Sequence, residues 1–130
     1  MRKYIWVVAA AALMASLSVG VGTASAANSG NPTFTITQTV SGGTDTVSVT
    51  GSGWTANGTV EYFVDACRDK KTVLCDPYAG NGFTGTDALG AFSTPGAATL
   101  PCGSANTTLL VAINDLTTGV LVHKTKKLAC

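Results

Sequence analysis

The 130 residues carry eight basic and seven acidic side chains, and only 12% of positions are charged. That length suits one domain, and the balance excludes the basic patch of a nucleic-acid binder, so no direct nucleic-acid contact by the protein is expected. Four cysteines with one histidine, and no C-x-x-C pair among them, point away from zinc and toward disulfides.

Residues 1–26 read as a cleaved secretory leader. Arg2 and Lys3 form the charged start, an uncharged apolar run extends from Ile5 to Val21, and Ala24-Ser25-Ala26 supplies an A-x-A cleavage site. The competing reading is a membrane anchor, since the run is nearly long enough to span. Its wealth of Ala, Ser and Gly and the cleavage motif favour removal. The expected mature domain, 27–130, has 104 residues with six basic against seven acidic groups. It is expected to be secreted or associated with the cell surface, free of the membrane, and monomeric.

The mature chain reads as short strands throughout. Residues 33–39 alternate, with Phe34 and Ile36 on one face. A Gly42-Gly43 turn leads to residues 46–50, where Val47 and Val49 alternate with Thr46, Ser48 and Thr50. Trp54 follows the Gly51–Gly53 bend and is expected to plug the end of a sandwich, because aromatic side chains bury large areas. Residues 59–67 put Val60, Tyr62, Val64 and Ala66 on one face, and Glu61, Phe63, Asp65 and Cys67 on the other. Residues 72–75 read as a short returning strand, and 76–82 as a loop by composition. Residues 83–86 and 91–94 read as a hairpin around 87–90. Pro95, Gly96 and Pro101 bound a link to Cys102. Residues 108–114, TLLVAIN, direct Leu109, Val111 and Ile113 to the core, with apolar Leu110 and Ala112 on the opposite face. A hairpin connection at 114–119 leads to the last strand, 120–128. There Lys124 and Lys126 share one face, and with Lys127 they read as the charged guard of an edge strand. The expected fold is an all-β, immunoglobulin-like Greek-key β-sandwich of about seven strands.

Four cysteines allow three pairings. Closeness in sequence around a turn-like loop, Arg68 to Lys71, favours Cys67–Cys75 and leaves Cys102–Cys130.

No catalytic constellation emerges. His123 is the only histidine and lies in a strand beside a lysine cluster, with no G-x-S-x-G elbow elsewhere. The aspartates at 45, 76, 87 and 115 form no calcium loop. The expectation is a protein that is not an enzyme, with no metal and no cofactor. Asn57-Gly58-Thr59 and Asn106-Thr107-Thr108 match the glycosylation sequon. The informative feature is apolar character on an outward face. Phe63, Leu110 and Ala112 point away from the predicted core on neighbouring strands, with Tyr78 and Phe83 nearby. That face is either a ligand site or a small second core under a loop.

The run from Asp45 to Phe92 resembles the neocarzinostatin–macromomycin family of secreted actinobacterial immunoglobulin-like proteins that carry enediyne chromophores. The resemblance rests on TVSVTGSGW, TANGTVEYFVDAC, VLCDP and FTGTDALGAFST. It implies that Cys67–Cys75 closes the loop after its strand and, with nearby aromatics, lines a chromophore cleft on the outer face of the sheet. It implies binding without chemistry, any antibacterial or DNA-damaging action belonging to the ligand. The chain departs from the family at Leu109, where a second local cysteine would stand near Cys102, and at Asp65, where a small residue would face the cleft. Its 95–102 segment is also shorter than the family's ribbon.

The expected ligand set is Phe63, Asp65, Cys67, Cys75, Tyr78, Phe83, Leu110 and Ala112, holding a small apolar or aromatic molecule. The alternative function is an immunoglobulin-like structural or adhesive module that contacts a protein or glycan. A third reading presents the Arg68–Lys71 loop to a protease.

Overall fold

The computed structural model describes residues 30–130 other than Val73, with the backbone alone at Pro77 and Tyr78. The expected leader and its boundary at residue 26 lie outside the described residues. Among the described residues seven strands follow one another: β1 (Thr33–Ser41), β2 (Thr44–Ser52), β3 (Thr59–Cys67), β4 (Cys75–Gly85), β5 (Phe92–Pro101), β6 (Thr108–Asp115) and β7 (Leu121–Lys127). They form two antiparallel sheets, β1-β2-β5 and β4-β3-β6-β7, so the described chain is an all-β sandwich. In the seven-stranded immunoglobulin order the fourth strand extends the sheet of the fifth. Here β4 pairs with β3 instead.

Alternation builds the core. Phe34 and Ile36 on β1, Val47 and Val49 on β2, Val60, Val64 and Ala66 on β3, and Leu109, Val111 and Ile113 on β6 are all buried. Trp54 closes one end. It is fully buried, donates its indole N–H to Thr33 O at 2.9 Å, and meets Phe92 edge-on at 5.9 Å between ring centroids. Phe92 in turn lies over Gly51, where a Cβ would come within 2.1 Å of the ring.

Four expectations need correction. Residues 76–82 are not a loop but part of β4, and Thr72 and Leu74 lie outside any strand, since β4 begins at Cys75. The 83–86 and 91–94 segments are not a hairpin pair: the turn at 87–90 forms, with Asp87 N bonded to Ala91 O at 2.9 Å, but β4 and β5 enter different sheets. Residues 95–101 are not a link; they lie within β5.

Glycine and proline mark irregularities here, not breaks. On β5, Val47 pairs with Ala98 and Val49 with Thr94, so residues 95–97 oppose Ser48 alone. Gly96 adopts φ +66° in this bulge, and its N–H bonds Ser48 Oγ at 3.1 Å. On β4, residues 77–79 likewise oppose Asp65 alone. Gly80 then passes so near the β5 bulge that a Cβ would lie 2.0 Å from Ala97 O. One open side of the sandwich is thereby pinched shut.

The opposite side is closed by β7. Val111 pairs with Lys124 and Leu109 with Lys126, which turns both lysines to the inner face of the edge strand. Their amines reach β1: Lys124 donates to Phe34 O, and Lys126 to Ile36 O at 2.8 Å. Gln38 continues the seam, donating to Lys127 O and accepting from Ala129 N, each at 3.0 Å. The lysines thus bridge the sheets as well as guarding an edge.

Two buried aspartates contrast. Asp115 accepts Thr55 N at 3.0 Å and Thr55 Oγ1 at 2.7 Å on one oxygen, and Thr117 N at 2.9 Å on the other. Asp45 shares the inward face of β2 with Val47 and Val49, and neither of its carboxylate oxygens has a hydrogen-bond partner among the described residues. Removing a satisfied buried carboxylate orphans its donors, whereas replacing an unsatisfied one with an apolar group removes a desolvation cost. In urea unfolding, Asp115→Ala is therefore expected to lose about 3 kcal/mol and Asp45→Val to gain about 1–2 kcal/mol.

Candidate functional site

The outer face of the four-stranded sheet follows from register. Residues directly opposite one another point to the same side. Four rungs cross the sheet from β4 to β7. The first is Phe83, Glu61, Asn114 and Leu121; the second is Asn81, Phe63, Ala112 and His123. The third runs from the β4 bulge through Asp65 and Leu110 to Thr125, and the fourth is Cys75, Cys67, Thr108 and Lys127. With strands about 4.8 Å apart and same-face neighbours about 7 Å apart, the surface measures roughly 15 by 20 Å.

Its centre is apolar. Phe63 and Ala112 are a direct pair, and Leu110 lies on the next rung of β6; all three are half-buried. Phe83 and Leu121 stand at the rims, 64% and 59% exposed. Glu61, Asp65, Asn81, Asn114 and Thr125 interleave with this floor. Antiparallel sheets with a solvated face ordinarily carry polar residues there.

The Cys67–Cys75 disulfide closes one end, bridging residues that are directly paired in the ladder. Cys67 is buried; beyond it, Thr107 N bonds Cys67 O at 2.8 Å and Thr107 Oγ1 bonds Arg68 O at 3.1 Å. The second disulfide, Cys102–Cys130, fastens the end of β5 to the segment after β7. These are the two pairings favoured from the sequence.

Of the eight expected ligand residues, Phe63, Asp65, Cys67, Cys75, Phe83, Leu110 and Ala112 belong to this one surface. The side chain of Tyr78 lies outside the described residues; its backbone forms part of the β4 bulge opposite Asp65. Sequence reasoning missed Leu121 and His123. The alternation of β7 was the available signal: once Lys124 and Lys126 turn inward, Leu121, His123 and Thr125 must face out.

The far end of β4 has a different character. An open hollow of about 540 Å³ is lined by Gly85, Thr86, Asp87, Ala91, Phe92 and Ser93. Asp87 accepts Ala91 N and Leu89 N there, both at 2.9 Å. Those bonds, Ala91 foremost, hold its carboxyl below the usual aspartate range. Among the described residues no cluster of three or more His, Cys, Asp or Glu side chains is arranged to hold a metal ion. No helix among them is long and apolar enough to cross a membrane.

No protein-family model matches this chain, and no match was found among the curated proteins.

The two disulfides close loops of different span, 8 and 28 residues apart in sequence. Replacing both cysteines of a pair by serine is expected to lower the unfolding free energy by about 2.5 kcal/mol for Cys67–Cys75 and about 3.5 kcal/mol for Cys102–Cys130. Denaturant titration of the two double variants checks the order.

Proposed function

We propose that the protein is a secreted, non-enzymatic binding domain that holds a small apolar or aromatic ligand on the outer face of β4-β3-β6-β7. The observation that carries this reading is the adjacency of Phe63, Ala112 and Leu110 on a face where alternation calls for polar side chains. The two formed disulfides fit an oxidising compartment, and the leader-like 1–26 segment fits export into one. The resemblance to the neocarzinostatin–macromomycin family supports the same surface and the same class of ligand.

The floor supplies affinity and the interleaved polar groups supply orientation. Covering about 200 Å² of apolar area contributes about 5 kcal/mol, from which the cost of association is subtracted. A bound molecule is shielded on one side from water and nucleophiles, and no bond is made or broken by the protein. Any toxicity belongs to the ligand.

Phe63→Asp tests the site, because a carboxylate in the middle of the floor loses its hydration when an apolar molecule covers it. Titration with a neutral aromatic fluorophore is expected to give saturable uptake by the parent protein. Phe63→Asp should bind it about tenfold or more weakly, with an unchanged urea midpoint. Equal uptake by the two proteins overturns the assignment of the site. Capture of one protein partner, with no uptake of small molecules, favours an adhesive module.

A further inference from the structure

The cations of the described chain fall in two places: Arg68, Lys70 and Lys71 in the β3–β4 loop, and Lys124, Lys126 and Lys127 on β7. Lys124 and Lys126 are committed to the carbonyls of β1. The other four are exposed. The ladder gathers them at one end of the sandwich, because Lys127 pairs with Thr108 and Thr108 with Cys67, the residue before Arg68. Lys127 and Cys67 are thus two strand spacings apart, roughly 10 Å. The same loop carries one carboxylate, Asp69, which is itself engaged. Of the nearby acids, Asp76 is engaged by Asn106 Nδ2 at 2.9 Å.

Contacts among its described residues hold the loop. The disulfide closes it, Arg68 N bonds Leu74 O at 2.8 Å, and Thr72 N bonds Asp69 O at 3.3 Å. Leu74, at its base, is 60% exposed. The loop therefore carries three cations and one carboxylate, with an exposed apolar side chain at its base and a fourth cation beside it.

We propose that this end of the sandwich docks on the surface of an anionic lipid bilayer. Leu74 enters the headgroup layer, while Arg68, Lys70, Lys71 and Lys127 pair with lipid phosphates. The exposed leucine decides between anionic partners. A soluble polyanion offers nothing to Leu74, whereas a bilayer accepts both the charges and the apolar side chain. Preorganisation keeps the ordering cost of docking small. Four charges and one leucine make this a reversible, salt-sensitive contact, since screening acts on exposed charges. The inference is independent of any ligand on the outer face.

Sedimentation with vesicles tests it, using the domain from Ala27 with both disulfides formed. That domain contains both sheets and the whole core. It is expected to pellet with phosphatidylglycerol–phosphatidylcholine vesicles at low ionic strength, to stay in solution with phosphatidylcholine alone, and to be released by high salt. Each cation removed should weaken partitioning about fivefold, so Lys70→Gln with Lys71→Gln should lower it roughly 30-fold. Leu74→Ser should weaken it with the charge intact. Both variants alter only side chains at the loop surface, and circular dichroism verifies their fold. No association with anionic vesicles overturns the proposal, as does equal binding by the variants. Tight binding of soluble polyphosphate with no dependence on Leu74 also overturns it, and transfers the surface to an anionic polymer.

Discussion

The register between β3 and β6 is the constraint on which the rest of the molecule depends. Eight consecutive pairs, from Val60 with Asp115 to Cys67 with Thr108, join the two central strands of the larger sheet. A slip of one residue would exchange their faces, exposing Val60, Val64, Val111 and Ile113 and driving Glu61 and Asp65 into the core. Both ends of the ladder are pinned. Asp115 grips the backbone and hydroxyl of Thr55, next to the buried Trp54. At the other end, Cys67 is tied to Cys75 and accepts Thr107 N. The register that makes the core therefore also makes the outward row of Phe63, Ala112 and Leu110. Core and candidate site are two sides of one pairing.

The remaining structure closes what that sheet leaves open. A sandwich of two sheets has two open sides, and different chemistry seals each. On the β4–β5 side, paired bulges bring backbone against backbone at Gly80 and Ala97, a contact with no room for a Cβ. On the β7–β1 side, two inward lysines satisfy carbonyls that face no neighbouring strand among the described residues. A charged group turned inward on an edge strand also opposes pairing with another chain. This use of Lys124 and Lys126 leaves Lys127 and the loop cations as the uncommitted positive charge of the described domain, all at the disulfide end.

Much of this was legible in the sequence wherever the local signal and the tertiary demand agreed. Alternation located β1, β2, β3 and β6, and spacing favoured the two disulfides. The inward and outward sets of β3 and β6 followed directly, and with them the centre of the candidate face. Two of the failures share one cause. Residues 76–82 and 95–101 are rich in Gly, Pro and Asn, which ordinarily break strands. Here those residues answer tertiary contacts. Gly82 leaves space for Tyr62, whose hydroxyl a Cβ would approach to 2.7 Å, and Gly80 leaves space for Ala97. Composition records the missing side chain and not the neighbour that required it to be missing. The inward turn of Lys124 and Lys126 was hidden for a related reason: a hydropathy pattern assigns lysine to solvent, while its long stem can cross an edge to a carbonyl.

The proposed ligand binding rests on the apolar centre of the outer face, and it is tested most directly on protein isolated from its own host. Native mass spectrometry with a parallel ultraviolet–visible spectrum reads occupancy whatever the ligand's identity. The expected result is an added small-molecule mass, with absorbance beyond that of the protein's own Trp and Tyr residues. A single species at the bare mass of residues 27–130, lighter only by the hydrogens lost in forming two disulfides, would contradict it.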